Sequence, residues 1–334
     1  MNDIIKKLEL FKNVIGQEPV KRELGFYLDS YQATRISPNL IFSAAKGQGK
    51  TTIAKEYAKG LTLFDEKGKL VMEGSKVKRK PFVEVNCSTL KNVKQFINGL
   101  VVPYVQDKDV TLLFDEASEL PHDISMALLT ILNPNPENRT TFALDEYVCD
   151  FDFRKQTFLF ATSEVQGVFH ALIDRLERIT LSDYTPANLA AIVKKGLCPK
   201  GETPVECKDK VLDDVSSVLR GNARAAQKMA SKIMAYLRNK KVFVPKDWEE
   251  LKDILGIYPL GLNAVEISIL DVLKKNPDGT SLTRLSATTG MSREALARDS
   301  ELYLQKMNLM QIETAGRKIT TKGLEYLKGL KSVA

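Results

Sequence analysis

Histidine and cysteine are scarce in this chain of 334 residues. The two histidines, His122 and His170, stand far apart, and Cys87, Cys149, Cys198 and Cys207 include no Cys-x-x-Cys pair. Neither a zinc site nor a disulfide framework is indicated. His122 follows Pro121 at an expected helix start and reads as a surface residue. Long apolar runs are missing too: none approaches the ~20 residues of a membrane span. Residues 1–7 have no signal-peptide core, so a place in the cytoplasm, off the membrane, is expected. The signature of a disordered chain is also absent. A content of 43% hydrophobic and 27% charged residues is ordinary for a globular protein, and the length allows two or three domains.

What is present is uneven in charge. Residues 1–182 carry 24 Lys+Arg and 24 Asp+Glu, and residues 183–334 carry 25 and 18, so the whole excess of +7 is C-terminal. A basic module joined to a neutral one suggests a polyanion as the partner of the C-terminal part. A merely solvated lysine-rich surface is the plainer reading of charge alone.

The most informative stretch is Ala44-Ala45-Lys46-Gly47-Gln48-Gly49-Lys50-Thr51-Thr52, directly after the apolar run Leu40-Ile41-Phe42. It reads as a strand entering a phosphate-binding loop and then a helix. Gly47 and Gly49 let backbone amides converge on phosphate oxygens, the helix N-terminus adds positive potential, Lys50 reaches the β and γ phosphates, and Thr51 can hold Mg²⁺. The usual pattern opens on Gly where this chain has Ala44; a Gly-rich turn at a helix start is the competing reading. A second element supports phosphate chemistry. Val110-Thr111-Leu112-Leu113-Phe114-Asp115-Glu116 is a buried-strand pattern ending in two carboxylates, Asp115 suited to the Mg²⁺ shell and Glu116 to polarising water.

Between residues 40 and 181, strand-like runs (40–42, 82–85, 112–114, 157–161) alternate with helical ones (after Lys50, 90–100, 124–132). The pattern predicts a parallel sheet flanked by helices with ligand at the carboxyl ends of the strands. Two hairpins interrupt it. One spans 61–80 and leaves through the basic run Lys76-Val77-Lys78-Arg79-Lys80; the other spans 134–153, with alternating Phe142, Leu144, Tyr147, Phe151 and Phe153. Residues 183–256 are expected to be helical (187–195, 208–219, 223–238, 248–255), and 256–262 to be a linker. Beyond it, helices at 265–273, 282–288 and 292–306 and strands at 309–314 and 317–320 predict a winged helix-turn-helix. Its third helix would enter a DNA groove, with Arg293, Arg298, Arg317 and Lys318 as the phosphate contacts; such modules also serve as protein contacts.

The order and spacing of these motifs resembles the RuvB family, AAA+ motors of Holliday junction branch migration, over nearly the whole chain. Phe11-Lys12-Asn13-Val14-Ile15-Gly16-Gln17 is similar to the family's N-terminal box against the adenine, which assigns Ile15 there. Asp115-Glu116 stands where the family has its acidic pair. Phe160-Ala161-Thr162-Ser163 is similar to the segment that senses the γ-phosphate, placing sensor 1 at Thr162. Leu172-Ile173-Asp174-Arg175 resembles the segment with the arginine finger, which puts that role on Arg175; a surface ion pair with Asp174 or Glu177 is the alternative. Tyr184 matches an aromatic residue near the base, and Gly221-Asn222-Ala223-Arg224 resembles the lid motif whose arginine contacts the γ-phosphate, here Arg224.

The resemblance implies an α/β AAA+ P-loop ATPase domain over 1–182, an all-α lid over 183–256 and a winged helix over 257–334. It implies ATP and Mg²⁺, bound by Gly47, Gly49, Lys50, Thr51, Thr52 and Asp115, with duplex or four-way-junction DNA as partner and a homo-oligomer, a hexameric ring, as the working state. The 134–153 hairpin occupies the place where the family binds its junction-recognition partner, with a different sequence. Departures from the family pattern are Ala44, Lys46, Ala117-Ser118, the 61–80 insertion and Ala315 at the wing tip. A clamp or helicase loader acting as an ATP switch, and a DNA-binding adaptor without turnover, are the other readings.

Overall fold

The computed structural model describes residues 9–106, 108–133, 139–144, 147–153, 155–198, 203–238 and 240–331, with the backbone alone for 139–152. Residues 1–7, the start of the second hairpin at Pro134, and the side chains of Phe142, Leu144, Tyr147, Cys149 and Phe151 lie outside the described residues. The chain divides into two compact units, Met1–Ile192 with Gly221–Met229, and Val193–Arg220 with Ala230–Ala334. Among the described residues no single helix is long and apolar enough to cross a membrane.

The first unit opens with α1 (Glu18–Thr34), started by Pro19 in its first turn. Proline suits that position because its missing N–H would have no partner there. β1 (Leu40–Ser43) is buried along its length, and α2 (Lys50–Ala58) starts at Gly49. The insertion follows as an antiparallel hairpin, β2 (Met72–Glu73) and β3 (Lys76–Val77), prolonged by bridges from Thr62 to Arg79 and from Phe64 to Leu70. Its last basic residue is not part of an exposed run. Lys80 is buried, pairs with Asp109 at 2.7 Å, donates to the Lys155 carbonyl at 3.0 Å and lies 5.0 Å from the Tyr31 ring centre. Lys80 anchors the insertion; Lys76, Lys78 and Arg79 remain exposed.

β4 (Phe82–Asn86) leads to α3 (Val93–Phe96), which widens into a π-helical stretch, Ile97–Val105. A regular helix was expected over 90–100; Pro103 inside the stretch removes an amide donor, and the widened turn accommodates it. β5 (Thr111–Asp115), α4 (His122–Ile131), the antiparallel hairpin β6 (Arg139–Leu144) and β7 (Tyr147–Asp152), β8 (Thr157–Thr162), α5 (His170–Ile173) and β9 (Glu177–Thr180) complete the series. Five strands pair in the order β4-β5-β8-β1-β9, all parallel.

The period of two along each strand divides the apolar residues between two cores. Ile41, Leu112, Phe114, Phe158 and Phe160 face one; Leu40, Phe42, Leu113, Leu159, Ala161 and Ile179 face the other. Phe114 stacks on Phe160 at 5.0 Å between ring centres. Burial on both faces explains why these strands read as continuous apolar runs. α6 (Pro186–Gly196) follows the sheet.

In the second unit, α7 (Asp209–Ser217), the later turns of α8 (Ala223–Leu237) and α9 (Pro245–Leu255) match the expected helices. One element was not expected: β10 (Glu206–Cys207) and β11 (Val242–Phe243) form a short parallel ladder, too brief for a sequence pattern. α10 (Ala264–Lys275) starts with a capping box, Asn263 with Glu266, and α11 (Leu282–Thr289) ends at Gly290 in the left-handed region. α12 (Arg293–Ala295) is capped by Ser292 and runs through a π-helical stretch, Leu296–Glu301, into α13 (Leu302–Lys306). The wing is β12 (Met310–Glu313) against β13 (Gly316–Ile319). A closing helix, α14 (Thr321–Lys331), adds Leu327 to the core and was not anticipated from the sequence.

Arg220 holds this unit together. Its guanidinium pairs with both oxygens of buried Glu266, at 2.9 and 2.5 Å, donates to the Gly261 carbonyl and lies 4.0 Å from the Tyr303 ring centre. Removing one partner of such a pair leaves a buried charge unmatched, which costs about 3–5 kcal/mol. Arg220→Ala is therefore expected to lower the urea midpoint of the second unit by a corresponding amount. The fluorescence of Trp248, the single tryptophan and fully buried there, reports the transition. An unchanged midpoint would remove the pair from this role.

Candidate active site

The loop between β1 and α2 is built around two residues with left-handed backbone, Gly47 (φ 83°) and Gly49 (φ 88°). At Gly47 a Cβ would stand 2.5 Å from the Asn222 side-chain oxygen and 3.0 Å from the Arg224 Cβ, so glycine lets the turn at 222–224 close on the loop. Asn222 Nδ2 donates to the Lys46 carbonyl at 2.7 Å, and the Arg224 amide donates to the Gly47 carbonyl at 3.0 Å. The sequence-predicted Arg224 thus sits beside the loop. Lys50 donates to the carbonyls of Ala44 and Ala45 at 2.9 and 3.2 Å. Burial pushes its ammonium below the usual lysine value; Asp115 opposes the shift and Arg224 adds to it. Two positive groups meet at one place, as a polyphosphate requires.

The strand order sets β8 between β1 and β5, so the ends of all three form one edge. Across it Thr51 donates to Asp115 Oδ2 at 3.0 Å. A hydroxyl and a carboxylate are the hard oxygen donors that Mg²⁺ takes from a protein, with water and phosphate supplying the rest. The residues present fit that ion. Glu116 follows in the left-handed region, φ 56°, exposed, with its amide on Asp115 Oδ1 at 3.0 Å. A non-glycine residue held there carries strain of about 1–3 kcal/mol, which turns the carboxylate out of the strand line. Thr162 ends β8, buried, and its hydroxyl accepts from the Glu164 amide at 3.0 Å.

On the far side of the loop, half-buried Ile15 precedes Gly16 and Gln17. A Cβ at Gly16 would lie 2.5 Å from Asn188 Nδ2 and 3.4 Å from the Tyr184 ring. Tyr184 is buried, its hydroxyl donates to the Gln48 carbonyl at 3.3 Å, and burial pushes its phenol up. Gln17 Nε2 donates to the Ser182 carbonyl at 2.7 Å, and Gln48 to Asp183 at 2.7 Å. Tyr184 therefore borders the loop, and Gly16, the residue after Ile15, lies against its ring.

Arg175 lies apart from this edge. It is half-buried, donates to the Ala171 carbonyl at 2.8 Å, and lines a cavity of about 440 Å³ with Asn39, Gln156 and Phe158. In the second unit, Arg293 and Arg298 are exposed, Arg298 beside Asp299 at 3.1 Å, and Lys318 pairs with Glu313 at 2.9 Å. Arg317 is engaged otherwise than expected. Its guanidinium grips buried Glu301 at 2.7 and 3.2 Å, and its backbone pairs with Thr280.

Residues 259–328 match the family model of the RuvB C-terminal winged helix domain. The Holliday junction branch migration complex subunit RuvB of Ureaplasma urealyticum is 23% identical over 335 residues, 96% of this chain and 95% of the relative. That of Campylobacter lari is 22% identical over 333 residues, 95% and 90%. The fold is shared with the Thermotoga maritima RuvB Holliday junction branch migration motor: TM-score 0.71, 20% identity, 94% of this chain and 95% of that one. The chain is similar to RuvB proteins over nearly its whole length, and its residues 259–328 match the RuvB winged helix domain.

Against the RuvB pattern the sequence reading missed Asn222, Gln48 and Gln17 as builders of the site. Asn222 lay within a recognised motif, but its partner is 176 residues earlier. The fit of Gly47 beneath Asn222 is open to test. Gly47→Ala adds a methyl in a left-handed position and is expected to destabilise the first unit by about 1–3 kcal/mol. It should also speed hydrogen exchange at the Arg224 amide, read by mass spectrometry. Unchanged exchange would mean that the turn does not depend on that contact.

Proposed function

We propose that this chain is an ATP-driven DNA motor of the branch-migration type, working in the cytoplasm as a ring, a hexamer, that moves duplex DNA. The observation that carries the reading is the meeting of Lys50, Thr51, Asp115, Glu116 and Arg224 around one loop, in a chain similar to RuvB from end to end. Branch migration is what those relatives' names state; for this chain it is the proposal.

The loop amides and Lys50 bind the phosphates of ATP, with Gly49 and Thr52 at the helix start, and Ile15 and Tyr184 border the adenine. Thr51 and Asp115 hold Mg²⁺, which neutralises charge on the phosphates. Glu116 orients and polarises the attacking water, Thr162 senses the terminal phosphate, and Arg224 meets it from within the same subunit. Arg175 leaves its bond to Ala171 and reaches the neighbour's site, which makes hydrolysis depend on assembly. The labour divides as ATPase over 1–182, lid over 183–256 and DNA-binding winged helix over 257–334. Arg293, Arg298 and Lys318 contact DNA phosphates; Arg317 joins them only by giving up Glu301. The 134–153 hairpin takes a junction-recognition partner.

Lys50→Ala is expected to abolish ATP binding, and Glu116→Gln to keep binding while stopping phosphate release. Wild-type hydrolysis by Glu116→Gln would contradict the assignment. Mixed Arg175→Ala and Lys50→Ala subunits should recover part of the ATPase, because a finger acting across subunits can be worth ~10³-fold or more in rate. Absence of recovery in mixed oligomers would leave Arg175 a structural residue. Duplex binding should weaken steeply with salt and show little sequence preference, read by fluorescence anisotropy. Binding that resists salt would point to contacts other than phosphate.

A further inference from the structure

The phosphate loop is held from outside along its whole length, and most of the holding groups are not loop residues. Six successive carbonyls accept hydrogen bonds. Ala44 and Ala45 are bonded by Lys50, Lys46 by the Asn222 side chain, Gly47 by the Arg224 amide, Gln48 by the Tyr184 hydroxyl, and Gly49 by the Ile53 amide at 2.9 Å. The amides of residues 45–49, by contrast, have no acceptor among the described residues. Fixing each carbonyl outward turns the intervening amides toward the concave side, where an anion would complete them.

Lys50 cannot be a permanent part of this arrangement, because it is the residue that must go to the phosphates. The lasting anchors are those on Lys46, Gly47 and Gln48, and they come from two places that are themselves joined. The Tyr184 amide donates to the Gly221 carbonyl at 3.1 Å, one residue before Asn222, and the Asn222 side-chain oxygen accepts from Ala225 at 3.0 Å as it starts α8. Gly47 has no Cβ to hold the Asn222 amide away.

We propose that Asn222 and the Tyr184 hydroxyl are positioning residues that preorganise the phosphate loop, so that the lid's first turn helps shape the anion site whether or not a terminal phosphate is present. The proposal rests on the nucleotide-binding reading above and adds a distinction to it. Arg224 acts on the γ-phosphate and should separate ATP from ADP. Asn222 and Tyr184 act on the loop and should weaken both alike, because both nucleotides use the same amides.

Asn222→Ser keeps a helix-capping oxygen and removes the donor to Lys46, without adding charge. Tyr184→Phe keeps the ring and removes the donor to Gln48. In the full chain, titration with fluorescent ADP and with a fluorescent non-hydrolysable ATP analogue is expected to give about three- to tenfold weaker binding of both nucleotides in each variant, from the loss of one hydrogen bond. The ATP-to-ADP ratio should stay at the wild-type value and the nucleotide-free melting temperature should fall by no more than the loss of one hydrogen bond gives, whereas Arg224→Ala lowers the ratio. Wild-type affinity in both variants, or a loss confined to the triphosphate, overturns the proposal while leaving the nucleotide reading intact. Failure of the wild-type chain to bind either nucleotide overturns both.

Discussion

The hydrogen bond from Thr51 to Asp115 joins the first turn of α2 to the end of β5, two strands away from β1 across β8. That bond forms only if three parallel strands end level, so the geometry of the candidate site depends on the register of the sheet. Register in turn depends on the two apolar faces, since a slip of one residue would exchange Phe114 and Leu113 between cores. The stacked rings of Phe114 and Phe160 fix the adjacent strands one turn of the pleat below the carboxylates. Packing places the chemistry here.

The second unit solves a different problem with one arginine. Three of its segments, the turn at Arg220, the residues before α10 and the helix carrying Tyr303, converge on a single guanidinium. The wing uses the same device on a smaller scale, Arg317 on Glu301. Both acids are buried, and each is paired with its arginine.

These pairs mark the limit of what the sequence discloses. The parallel strands, the phosphate loop, the acidic pair and the winged-helix elements were legible because each is a local pattern: alternation, glycine spacing, a capping serine before a helix. Lys80 and Arg317 read as free cations, since their acids, Asp109 and Glu301, are distant in sequence and nothing local distinguishes a buried lysine from an exposed one. The π-helical widening around Pro103, the two-residue ladder β10–β11 and the left-handed backbone of Glu116 were equally hidden, because each is imposed by surrounding structure. Asn222 falls between these cases. Its motif was recognisable by resemblance, and its contact with Lys46 was not.

In a branch-migration motor, ATP hydrolysis at such a phosphate site moves the DNA that the winged helix holds. A four-way junction carrying a fluorescent donor and acceptor on two arms, incubated with the full chain and ATP, tests it most directly. The expected result is ATP-dependent arm exchange that fails with a non-hydrolysable analogue. ATP hydrolysis with the junction left in place, across protein concentrations that saturate the DNA, would contradict it.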